Sequence, residues 1–89
     1  PYPEPFFLML NAELALANRQ TAIAAANLKP LRYSASKDPE LLILFAKLAM
    51  QEANFSQAEK YIDKAAKINK YSPWIMLARA ELDWQMHRN

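Results

Sequence analysis

Residues 39–72 read PELLILFAKLAMQEANFSQAEKYIDKAAKINKYS. The stretch opens on Pro39, and prolines stand 34 residues to either side of it, at Pro5 and Pro73 (39 − 5 and 73 − 39). Each follows a polar or acidic residue, Glu4, Asp38 or Ser72, and opens an apolar run, which is how a capped helix with proline in its first turn begins. Inside the stretch, Leu41, Leu42, Ile43, Leu44, Phe45, Leu48, Ala49 and Met50 make the first helix apolar on nearly every side, so neighbours must cover it on several faces. After a turn at Ala53 and Asn54 the pattern changes. Ala58, Tyr61, Ile62, Ala65 and Ile68 form one stripe of a second helix, and Glu59, Lys60, Asp63, Lys64 and Lys67 form its wet face. Asn69 and Lys70 end it. A reused pair of helices at this period is the mark of a stacked helical repeat, an architecture that usually binds other proteins and rarely does chemistry.

Outward from this unit the theme continues. A helix is expected over 5–17, broken at Asn18, and a second begins near Arg19 or Gln20. Pro30 limits that second helix, because its ring and missing N–H are not tolerated in a helix interior; residues 30–37, rich in serine, should kink or loop. A fifth helix is expected over 73–87. The whole of 1–89 reads as one domain, with a degenerate unit over 5–38, the best-formed unit over 39–72 and an unpaired helix over 73–88. Glycine is absent, which removes the phosphate-cradling and dinucleotide loops and the tight primed turns of β-hairpins, and the alanine, leucine, glutamate, lysine and glutamine content favours helix throughout. The fold class is all-α.

Size and charge agree. A chain of 10.2 kDa buries roughly 64% of its unfolded surface, enough for one modest core. A net charge of +2 is too weak to imply nucleic acid, and the absence of cysteine excludes disulfides and thiol chemistry. The longest apolar run, Leu41 to Ala46, is too short to span a bilayer, and no signal segment opens the chain. A soluble protein is expected, in the cytoplasm rather than the bacterial periplasm. Because it starts with Pro1 and not methionine, a piece or processed form of a longer protein is expected.

Within the quoted stretch, Leu42, Phe45, Ala46, Ala58, Ile62 and Ala65 resemble, in order, the signature of a tetratricopeptide repeat (TPR): a large apolar residue, another three later, a small one beside it, then alanine, an apolar residue and alanine in the second helix. Ala49 and Phe55 also fit the spacing. One repeat length back stand Leu8, Asn11, Ala12, Ala24, Leu28 and Leu31, where Asn11 departs; one forward stand Met76, Arg79 and Ala80, where Arg79 departs. Ala46, Ala53 and Lys70 replace the family's frequent glycines and closing proline. The resemblance implies a right-handed α-solenoid of antiparallel helix pairs, in which Ala46, Ala58 and Ala65 let two helices approach while Leu42, Phe45 and Ile62 fill the layer between them.

It also implies a concave groove lined by the first helix of each unit. The family's groove places fall on Phe6, Met9, Glu13 and Leu16, on Ile43, Lys47, Met50 and Gln51, and on Leu77, Glu81, Trp84 and Gln85. Methionines and aromatics with a few central charges suit an extended peptide or amphipathic helix, oriented by Glu13, Lys47 and Glu81. Packing between repeats is the competing reading for Ile43, Phe6, Met50 and Trp84. The lysine and asparagine clamp of the family's chaperone-tail binders has only Lys47 in a comparable place, so a terminal carboxylate is not the expected ligand. Trp74, Ile75, Met76, Leu77, Leu82, Trp84 and Met86 give the last helix more apolar surface than one neighbour covers, so a further helix or self-association through Trp74, Met76 and Trp84 is expected.

No catalytic, cofactor-binding or metal-binding residue is assigned. His87 is the lone histidine, and Glu13, Glu40, Glu52 and Glu81 are scattered. Lys60, Lys64 and Lys67 alternate with Glu59 and Asp63 as an ordinary solvated face, and Asn54-Phe55-Ser56 matches a glycan acceptor inside a tight turn. The expected function is a non-catalytic protein-binding scaffold, a module of a larger protein. The alternatives are a helical-repeat segment of an RNA-processing factor, or a regulatory or oligomerisation segment attached to an enzyme.

Overall fold

The computed structural model describes residues 4–87, which form five α-helices: α1 (Glu4–Ala17), α2 (Thr21–Leu28), α3 (Pro39–Gln51), α4 (Phe55–Ile68) and α5 (Pro73–Met86). Among the described residues there is no strand. Pro1 and the expected end of the last unit at residue 88 lie outside them. The helix starts follow the sequence closely. Asp38 is extended and its Oδ1 accepts hydrogen bonds from the backbone N–H groups of Glu40 (3.0 Å) and Leu41 (3.4 Å), satisfying donors that the first turn leaves orphaned, while Pro39 has no N–H to satisfy. Ser72 is also extended before Pro73 but makes no side-chain cap bond, so only its carbonyl serves the turn. Asn54 caps α4 by accepting from the Gln57 N–H at 3.4 Å.

Pro30 shortens α2 to eight residues against fourteen in α4. The chain does not become an open loop there. It passes through two tight 3-10 turns, Lys29–Leu31 and Ala35–Lys37, whose apolar residues Leu31 and Ala35 are buried. Pro30 falls in the first turn of a new 3-10 segment, where no N–H is required of it, and the next bond runs from the Arg32 N–H to the Lys29 carbonyl at 3.4 Å.

The 34-residue period is written into the backbone. In the α1–α2 turn the Gln20 N–H donates to the Ala15 carbonyl (2.8 Å) and Arg19 to Leu16 (3.2 Å); in the α3–α4 turn Asn54 donates to Ala49 (2.8 Å) and Ala53 to Met50 (3.0 Å). These are Schellman closures, and each places one residue in the left-handed region, Arg19 at φ 58° and Ala53 at φ 61°. Neither is glycine, so each pays about 1–2 kcal/mol of steric strain. Glycine would relieve it but adds freedom to the unfolded chain costing about 0.4–1 kcal/mol. Ala53→Gly should therefore raise stability by roughly 0.5–1 kcal/mol, and melting temperature by about 4–8 °C per kcal/mol in a domain of this size. Thermal unfolding followed by circular dichroism reads this directly, and a fall in melting temperature would contradict the left-handed turn.

At the centre of the fold, α3 contacts all four other helices and carries nine buried residues, Leu41 to Ala46 and Leu48 to Met50. The α1–α2 and α3–α4 pairs form two helical hairpins, and α5 packs on α3 and α4. No polar or charged residue is buried among the described residues, so apolar burial holds the helices together. The residues that α5 buries are Ile75, Ala78 and Leu82. Since α5 packs on the preceding hairpin, these positions are the ones that face backward; their counterparts Leu41, Leu44 and Leu48 on α3 are buried, and those on α1, Phe7, Leu10 and Leu14, are exposed. Met76, Arg79 and Ala80 stand where α3 faces its own second helix. All three are exposed, and Arg79 turns back to pair with Asp63 of α4 at 2.7 Å.

Candidate functional site

The first helix of each unit, α1, α3 and α5, contributes to one surface. Two adjoining cavities open along it. The larger, about 610 Å³, is lined by Met9 and Glu13 of α1, by Pro39, Glu40, Ile43, Leu44 and Lys47 of α3, and by Pro73, Trp74 and Ile75 of α5, with Asn69, Tyr71 and Ser72 from the α4–α5 turn closing one side. The smaller, about 230 Å³, is bounded by Glu13, Leu16 and Ala17, by Lys47 and Gln51, and by Glu81. Glu13 and Lys47 line both, so the cavities are halves of a single groove running across three helices.

Repeat arithmetic explains why these side chains meet. Glu13, Lys47 and Glu81 are 34 residues apart and occupy the same place on three equivalent helices, as do Met9, Ile43 and Leu77. Met9, Glu13, Leu16, Ile43, Lys47, Gln51 and Glu81 of the expected groove set line the cavities. The other five do not. Met50 is buried, 3% exposed, because α3 is covered on this side as well. Leu77 and Trp84, 60% and 62% exposed, lie on a stripe of α5 with Trp74 and Glu81 at steps of three and four, so they extend the groove wall outside either cavity. Gln85 follows Trp84 and donates to Glu81 Oε1 at 3.4 Å. Phe6 stacks edge-on against Phe7, with ring centroids 5.7 Å apart.

Gln51 sits in the groove but is engaged in holding the fold. Its Nε2 donates to the Leu16 carbonyl at 2.6 Å and its Oε1 accepts from Thr21 Oγ1 at 3.1 Å, pinning α3 to the corner between α1 and α2. Sequence reasoning missed Glu40 and Trp74, although both follow Phe6 at the repeat interval. It also missed Tyr71 and Ser72, which reach the groove through the path of the turn, a feature without a periodic signal.

Charge is unevenly distributed. Glu13, Glu40 and Glu81 line the groove with one cation, Lys47, and Lys70 lies over the ring of Tyr71, 5.9 Å from its centroid, in a chain whose net charge is +2. Among the described residues the side-chain ion pair is Arg79–Asp63, and none closes across the groove. Lys60, Lys64 and Lys67 are exposed on α4, which contributes none of its residues to either cavity. His87 is exposed at the end of α5, and no group of three His, Cys, Asp or Glu side chains is arranged to hold a metal among the described residues. No helix is long and apolar enough to cross a membrane. Comparison of the chain with protein-family models, with curated proteins and with solved structures finds no match to any of the three.

Proposed function

We propose that the chain is a tetratricopeptide-type helical repeat that binds a segment of another protein, extended or as an amphipathic helix, in the groove across α1, α3 and α5, without chemistry of its own. The observation that carries this reading is the joining of the two cavities by Glu13 and Lys47, side chains that one repeat interval places on adjacent equivalent helices. Met9, Ile43, Leu44, Trp74 and Ile75 offer apolar contact at the larger end, and the polar groups at the other end supply orientation. A rigid helical scaffold of this kind loses little order on binding, which favours affinity from a short segment.

A library of random dodecapeptides displayed on phage, selected on the immobilised protein, tests the proposal. Enriched peptides are expected to bind with an affinity that Leu77→Glu or Met9→Glu lowers about tenfold or more, since replacing one buried apolar contact removes about 1.5–3 kcal/mol. Leu77 is exposed and Met9 is half-buried at the edge of the core, so Leu77→Glu should retain helical content in full, and circular dichroism checks it for Met9→Glu. Selection without enrichment, or enriched peptides indifferent to both variants, would remove the groove from consideration.

A further inference from the structure

The charge of the groove narrows its occupant. We propose that it selects a cationic peptide segment: an apolar anchor in the larger cavity, and basic side chains meeting Glu13 and Glu81 with a neutral or acidic residue between them over Lys47. This rests on the groove being a peptide-binding surface and deepens that reading.

Three features argue for it. Glu13 and Glu81 are both exposed, and no cation of the chain lies within ion-pair distance of either among the described residues; the amide from which Glu81 accepts, that of Gln85, is neutral. Glu40 adds a third carboxylate to the lining of the larger cavity, to which Trp74 also belongs. Meanwhile cations such as Lys60, Lys64 and Lys67 sit on α4, and Arg79 is held by Asp63. A groove of three carboxylates and one ammonium in a net-positive chain attracts cations locally and repels acidic segments, because approach between low-dielectric walls strengthens the field of its rim. Trp74 in the same cavity offers a ring face on which a basic side chain can also lie.

Lys47 sets the pattern. It is partly buried between the two carboxylates, so a third basic group placed over it would meet a like charge with little solvent to screen it. Glu13 and Glu81 line the same cavity of about 230 Å³ as Lys47, so one short segment can meet all three.

The dodecapeptide selection above reads this pattern. Peptides with lysine or arginine flanking a non-basic centre should be enriched, and about tenfold or more of their affinity should be lost between low and high salt, in which exposed charges are screened. In the Glu13→Lys/Glu81→Lys variant that affinity should also fall about tenfold, and reselection should return acidic flanks; Glu13→Gln/Glu81→Gln is the milder control if the double reversal disturbs the fold by circular dichroism. Enriched peptides without charge preference, still lost on Leu77→Glu, would overturn the cationic reading and leave the groove standing. No enrichment would overturn both. A concentration-dependent dimer in sedimentation, dissolved by the double reversal, would assign the groove to the lysines of a second copy and overturn the proposal.

Discussion

Ile62→Ala should remove about 2–5 kcal/mol of stability, the range for deleting a fully buried branched side chain and leaving a cavity. Ile62 is completely inaccessible in the middle of α4, where it packs into the α3–α4 hairpin, and it belongs with Leu28, Leu41 and Leu42 to the largest side chains buried to that degree. A chain of 89 residues has about 4–13 kcal/mol in total, taking 0.05–0.15 kcal/mol per residue. One substitution therefore costs a large share of the fold, and a chain at the low end of that range would be largely unfolded. Leu28 stands 34 residues earlier, in the same place in the first hairpin, so Leu28→Ala should cost a similar amount. Ile68 supplies the contrast. It lies on the same helix but is 45% exposed, and Ile68→Ala should cost less than about 1 kcal/mol. Urea unfolding measures all three through the shift in midpoint at constant slope. A loss below about 1 kcal/mol for Ile62→Ala would mean that α3 and α4 do not close over it.

The contrast between Ile62 and Ile68 shows what the sequence could convey. Helical spacing puts both on one stripe, but the stripe says nothing about where the neighbouring helix stops, and the last turn of α4 runs beyond cover. Met50 fails in the opposite direction. Its place in the repeat assigns it to the groove, whereas α3 is enclosed by the other four helices and keeps it in the core. Helix starts were legible because they are local: Asp38 and Pro39 define one within three residues. The repeat interval was legible because it is arithmetic, and Glu13, Lys47 and Glu81, which stand at that interval, line one cavity. The two 3-10 turns after α2 were not, since proline forbids one hydrogen-bonding pattern without choosing its replacement, and the burial of Leu31 and Ala35 made that choice. The α5 register became clear only once its neighbours were known. Ile75, Ala78 and Leu82 face back onto a hairpin that exists, and Met76 and Ala80 face where a second helix of the same unit would stand.

That difference between α5 and α3 gives the remaining large effect. Ala46, Ala58 and Ala65 are completely inaccessible, and Phe45 and Tyr61 pack beside them with ring centroids 5.5 Å apart, so α3 and α4 approach closely where only a methyl group fits. Ala58→Leu introduces three further carbon atoms into that contact. It should cost about 1–3 kcal/mol through displaced helices or strained rotamers, because interiors at crystal-like density have no free volume to absorb them. Ala80 occupies on α5 the place that Ala46 holds on α3, yet it is exposed. Ala80→Leu should therefore change stability by no more than about 0.5 kcal/mol, the ordinary range for a surface site. The pair separates two explanations of the small residues. If alanine is there for its helix propensity, leucine, nearly as good a helix former, is tolerated at both positions. If it is there because a second helix lies against it, only Ala58→Leu is penalised. Equal midpoints for the two variants in urea would mean that the hairpins are not held by close approach at alanine, and the groove that depends on their spacing would lose its geometry.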